Sequence, residues 1–157
     1  MHSNGLTLAR KVFEAAGIEL GEKTSGLSGT VGENLLEPTE IYVKEVLGIT
    51  SKNEVHGLVD ITGGGLRNLL RMRKGLRYTI DDPFKPAPIF NKVQELGNVT
   101  DKEMYQTFNM SMGFMIIAPA GDAERIVSEN ANAKIVGRVE KGAGVLLEPE
   151  DLTYDHY

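Results

Sequence analysis

The sequence predicts an α/β domain of α+β-like character, with one mixed β-sheet of about five to six strands flanked by helices. Three observations predict it. From Pro38 onward, apolar runs of strand length alternate with segments whose apolar residues recur at helical spacing. Gly113 to Ala118 is a continuous apolar run, the pattern of a central strand covered on both faces. The triple glycine Gly63-Gly64-Gly65 joins the strand-like run from Val55 to Ile61 to the helix-like run from Leu66 to Met72, in which Leu66, Leu69 and Leu70 share a face.

In chain order, Ser3 or Asn4 can cap a helix from Gly5 to Ala16, with Ala9, Val12, Phe13 and Ala16 on one face and Gly17 as its stop. Residues 18–34 carry Gly21, Gly26, Gly29 and Gly32 among serines and threonines and read as a long mobile loop. Ile41 to Val46 reads as a strand, and the strand from Val55 then enters the glycine loop. Leu76 to Ile80 alternates apolar and polar residues like a half-buried strand. Three prolines between Asp81 and Pro88 require a turn-rich connection. Ile89, Phe90, Val93 and Leu96 mark a helix that Gly97 ends. Thr100 and Glu103 form a capping box that opens a helix to about Phe108. A short helix from Asp122 to Asn130, a strand from Lys134 to Val139 and a last strand from Val145 to Leu147 complete the pattern, and residues 150–157 read as a frayed tail.

At 157 residues the chain fits one domain, with length enough to bury a core. Its composition, 41% hydrophobic and 25% charged, is that of a globular protein. The absence of cysteine excludes disulfides, thiolate metal sites and thiol catalysis, and agrees with a reducing cytoplasm. A formal net charge of −5 with few aromatic residues argues against nucleic acid as a partner. No apolar run reaches the roughly 18 residues that suggest a membrane span, and the first residues lack the pattern of a signal peptide. Asn98-Val99-Thr100 and Asn109-Met110-Ser111 therefore read as chance matches to a glycosylation triplet. The basic run from Arg67 to Arg77 reads as a solvated helix face whose charge also suits a phosphorylated ligand.

Ile61-Thr62-Gly63-Gly64-Gly65-Leu66 is the strongest candidate site. Three residues without Cβ let the main chain turn sharply, expose its N–H groups and admit an anion closely, and a helix opening there would add further donors. A tight turn that binds nothing has the same sequence. Thr62, Gly63, Gly64 and Gly65 are the candidate phosphate-binding residues. His2, Ser3 and Asn4 set an imidazole, a hydroxyl and an amide at a helix start, although an N-cap would also account for them. Asp60 ends a buried-looking strand, where open sheets place ligand sites. His56 and Asn109 are further candidates for the cleft, with Asn109 equally readable as a helix C-cap. The three histidines are too scattered to indicate a metal site.

The strings His2-Ser3-Asn4-Gly5-Leu6, Leu35 to Lys44 (LLEPTEIYVK), Val55-His56-Gly57, Ile61 to Gly65 and Glu103 to Met110 (EMYQTFNM) together resemble the C-terminal half of the aminoimidazole ribonucleotide synthetase family, also called phosphoribosylformylglycinamidine cyclo-ligases. The resemblance runs from residue 2 to about residue 140. It implies that family's layered α/β fold and an ATP-dependent ring closure that converts formylglycinamidine ribonucleotide to aminoimidazole ribonucleotide in purine synthesis. It further implies that ATP and magnesium are held mainly by an N-terminal domain that nothing here matches, that this domain is a partner, and that the full-length enzyme is a homodimer. The chain then reads as a separated substrate-side domain, inactive alone.

Under the resemblance, Thr62 to Gly65 hold the ribonucleotide phosphate, and His2, Asn4 and Asp60 carry the catalytic roles, with Ser3, His56 and Asn109 near the cleft. Asp60 departs from the family pattern, which carries histidine there in many relatives. A carboxylate donates a proton near neutral pH only if its pKa is raised, whereas a base or orienting role needs no such shift. Two alternatives remain at this point: another ATP-dependent enzyme of the superfamily (formylglycinamidine ribonucleotide synthase, selenophosphate synthetase or thiamine-phosphate kinase) and a phosphate-binding module with no reaction of its own.

Overall fold

The computed structural model describes His2 and residues 4–157, and these divide into two compact units. The first comprises the described residues up to 40 together with 62–66 and 85–113, and the second comprises residues 41–61, 67–84 and 114–157.

Helices build the first unit. Helix α1 (Leu6–Ala15) buries Ala9, Val12 and Phe13, the stripe expected from its sequence, while Ala16 stays exposed. Its N-cap is Gly5, with no side-chain cap, so the expected cap at Asn4 is not made and the one at Ser3 lies outside the described residues. Helix α2 (Val31–Leu35) falls partly within the stretch expected to be loop. Thr30 accepts a hydrogen bond from the Glu33 amide at 3.1 Å, and the Glu33 carboxylate accepts one from the Thr30 amide at 2.7 Å. This reciprocal box lets five residues hold a helical turn, helped by complete burial of Val31. Lys23 pairs with Thr30 in an isolated antiparallel bridge.

Helices α4 (Pro88–Gly97) and α5 (Asp101–Thr107) complete this unit. Pro88 suits the first turn, where its missing N–H costs nothing. Asn98 ends α4 in the left-handed conformation, and Thr100 caps α5 by accepting the Glu103 amide. Ile89, Phe90 and Val93 of α4 meet the buried face of α1 and Phe108, whose ring lies 5.6 Å from that of Phe90.

Both sheets lie in the second unit. The six strands among the described residues agree with the expected number but form two sheets, where one was expected. β1 (Gly57–Asp60) and β3 (Phe114–Ile117) pair antiparallel, Gly57 opposite Ile117 and Asp60 opposite Phe114. The apolar run of β3 therefore belongs to a two-stranded sheet, not to the centre of a larger one. The second sheet, ordered β4-β2-β5-β6, contains β2 (Leu76–Ile80), β4 (Gly137–Lys141), β5 (Val145–Leu147) and β6 (Leu152–Tyr154). β2 runs antiparallel to β4 and parallel to β5, so this sheet is mixed. Tyr78, Ile80, Val145, Leu147 and Tyr154 form its buried face.

Two further expectations are corrected here. Ile41 to Val46 is not a strand, because helix α3 (Val43–Thr50) occupies most of it and buries only Ile49. β-branched residues gave it a strand signature that the helix overrides. Residues 152–154 are not frayed, since β6 pairs with β5 and Tyr154 is buried. Helix α6 (Ala120–Glu129) matches its expectation within two residues. Among the described residues, no helix is long and apolar enough to cross a membrane.

Candidate functional site

The glycine loop lies within the first unit, where three segments distant in sequence meet. Thr62 to Gly65 form a turn closed by a hydrogen bond from the Gly65 amide to the Thr62 carbonyl at 2.9 Å. Gly64, third in that turn, has φ 112°, and Gly65 has φ 52°. A Cβ on Gly65 would stand 1.9 Å from the Tyr105 carbonyl oxygen and 2.9 Å from that of Phe108. Only a residue without a side chain lets the loop lie against the last carbonyls of α5. On the other side, a Cβ on Gly63 would come within 3.1 Å of Asn4 Oδ1. Gly5 in turn lies under the Phe108 ring, leaving no space for a Cβ. The start of α1, the glycine loop and the end of α5 thus form one contiguous patch.

This patch gathers several candidates and changes what each can do. The Gly65 amide is spent inside the turn, which corrects the expectation that all the loop amides stand bare. The Gly64 amide makes no hydrogen bond among the described residues. The expected helix after the loop is a seven-residue 3-10 helix, Gly65–Arg71, whose dipole is weaker than that of a long α-helix. Asn4, relieved of capping, lies beside Gly63. His2 is half-buried near the start of α1 in sequence, and Ser3 lies outside the described residues.

Asn109 is not a C-cap, since Phe108 holds that position. The residue is 8% exposed, and its Oδ1 accepts the Ser111 amide at 3.2 Å. Its carbonyl accepts the Met112 amide at 2.8 Å, closing a turn in which Met110 (φ 47°) and Ser111 (φ 69°) are both left-handed. Ser111 Oγ accepts the Ala87 amide at 2.9 Å. Sequence reading missed this turn, although Asn-x-Ser offers a signal for it, because asparagine readily bonds the main chain two residues on.

Asp60 and His56 belong to the second unit. Asp60 is exposed at the end of β1. His56 is exposed, its ring 2.8 Å from the Glu54 carboxylate, and its amide extends the β1–β3 pairing by donating to Ile117 at 2.7 Å. In the same unit the basic run is more engaged than a solvated face. The Tyr157 ring lies 4.1 Å from the Arg71 guanidinium and 5.5 Å from that of Arg67, and Arg71 donates to its hydroxyl.

Two shallow hollows of about 400 Å³ (beside Lys92 of α4) and about 190 Å³ (beside Lys52) include no residue of the glycine loop. Among the described residues, no cluster of three or more His, Asp or Glu side chains could hold a metal ion.

The family described as "AIR synthase related protein, C-terminal domain" matches residues 1–148. The chain belongs to this family. A phosphoribosylformylglycinamidine cyclo-ligase from Methanopyrus kandleri is 51% identical over 150 residues, covering 94% of this chain and 43% of that protein. Proteins of the same name from Methanococcus maripaludis strain C7 (46% identical, 92% of this chain, 43% of the relative) and Methanocaldococcus jannaschii (47%, 88% and 41%) agree. The chain spans less than half the length of these relatives. The mixed α/β architecture is consistent with this family.

Proposed function

We propose that this chain is the substrate-side domain of a phosphoribosylformylglycinamidine cyclo-ligase, a ligase of purine biosynthesis, and that its glycine loop grips the phosphate of formylglycinamidine ribonucleotide. The observation that carries the reading is the close approach of Gly65 to the carbonyls of Tyr105 and Phe108. That contact fixes a loop whose Gly64 amide has no partner among the described residues. Main-chain N–H groups held this way suit an anion, because the donors are already oriented and no side chain obstructs the approach. The names of the relatives supply the substrate.

In this proposal ATP phosphorylates the formyl oxygen, the amidine nitrogen attacks the activated carbon, and inorganic phosphate departs with the former formyl oxygen while nitrogen gives up a proton. The chain contributes positioning: Thr62, Gly63 and Gly64 anchor the phosphate end, and His2 and Asn4, at the start of α1, provide polar groups for the reacting end. Asp60 is the proposed base or orienting group. Magnesium accompanies ATP in the proposal; among the described residues no cluster of three or more His, Asp or Glu side chains could hold it.

Calorimetry tests the grip. The chain should bind formylglycinamidine ribonucleotide more tightly than ribose 5-phosphate, and Gly64→Val should weaken binding by about tenfold or more while Asp60→Asn changes it by about twofold at most. Thermal unfolding measured alongside separates lost binding from lost fold. Equal, small effects in well-folded variants would contradict the cradle.

A further inference from the structure

Left-handed backbone is costly for residues with side chains, by about 1–2 kcal/mol each, yet Met110 and Ser111 adopt it consecutively, shortly after Phe108, whose carbonyl lies against Gly65 of the proposed phosphate loop. Such strain persists only where surrounding bonds hold it. Here the bonds converge on Ser111. Its amide donates to Asn109 Oδ1 at 3.2 Å, and its Oγ accepts the Ala87 amide at 2.9 Å, tying the turn to the segment that enters α4. The first bond fixes which way the Asn109 amide faces. With Oδ1 occupied, the amide's NH2 group is the end left to donate, and it has no partner among the described residues. Asn109 follows Phe108 directly, and the Phe108 carbonyl is one of the two atoms against Gly65.

We infer that Ser111 is a positioning residue: it holds the Asn109 carboxamide so that its NH2 group donates to the oxygen-rich ligand gripped by the glycine loop. The inference rests on the phosphate-grip reading above and adds to it a side-chain donor and the device that aims it. The Ser111 hydroxyl acts at a distance. It keeps the turn in its left-handed form, and without it a side chain at this position favours relaxation to negative φ, which withdraws the Asn109 partner. Glycine adopts positive φ without help, so a glycine here preserves the turn although it cannot accept from Ala87.

The test is a titration of the 15N-labelled chain with formylglycinamidine ribonucleotide, following the amides of Gly63 and Gly64 and the side-chain NH2 of Asn109. All three should shift and saturate together. Ser111→Ala should weaken binding by about tenfold, the scale of one hydrogen bond to a charged group, and should erase the Asn109 response. Ser111→Gly should restore both to within about twofold. A purely structural hydroxyl would make the two variants alike, since both lose the bond to Ala87, and that result would overturn the inference. Shifts at Gly63 and Gly64 without one at Asn109 would overturn it alone. Silence at both glycines would remove the phosphate grip and this inference with it.

Discussion

Gly65 is the residue on which the candidate site turns. Any side chain there would overlap the Tyr105 carbonyl, and φ 52° already disfavours one. Gly65→Ala should therefore destabilise the protein by roughly 3 kcal/mol or more, the sum of overpacking and left-handed strain, as read from urea unfolding. A loss below about 1 kcal/mol would show that the loop can withdraw from α5 at little cost, leaving its amides unfixed. The sequence made the glycines conspicuous but left their purpose open between a cradle and a bare turn. Their contacts were illegible, since nothing local in residues 61–66 says that the end of α5 or Asn4 will lie against them. Asn109 shows the same limit: the sequence offered it as a C-cap, a position that Phe108 holds instead, and its bond from the Ser111 amide depends on a pair of left-handed residues that no propensity favours.

At the scale of elements, local signals succeeded where they were strong. Val145 to Leu147, Leu76 to Ile80 and α1 were legible because alternation, an amphipathic stripe or a glycine stop marked them. They failed for α3, where the Ile-Tyr-Val string leading into the helix looked like a strand, and for α2, hidden among loop-forming glycines and serines. The capping box of α2 carries a pH signature. Hydrogen bonding from the Thr30 amide, and after it from the Thr30 side chain, holds the Glu33 pKa below its ordinary value. A carboxyl with a depressed folded pKa stabilises above its unfolded pKa and loses that contribution as pH falls through the folded value. Amide exchange at Thr30 should therefore accelerate as pH drops below the ordinary glutamate range, after correction for intrinsic exchange. Glu33→Gln, which keeps an acceptor but cannot titrate, should abolish that dependence. An unchanged pH profile in Glu33→Gln would show that this box does not govern the local opening.

At the scale of the whole molecule, the alternation of strands and helices predicted the class and the strand number, but not the division into sheets. Strand pairing is a long-range choice, and β1 finds β3 across more than fifty residues. Val43 and Leu47 of α3, with Ile41 just before it, are from 60 to 78% exposed, an apolar surface on the second unit. The family strings reached further than periodicity could, because the family they pointed to is the one whose description matches residues 1–148. The central claim is that this chain supplies the substrate-binding part of the cyclo-ligase reaction. It is tested most directly by mixing the chain with the part of the Methanopyrus kandleri cyclo-ligase that it does not match, and following ATP-dependent formation of aminoimidazole ribonucleotide. Ring closure that requires both parts and is lost with Gly64→Val is the expected result; a stable complex of the two without any turnover would contradict the account.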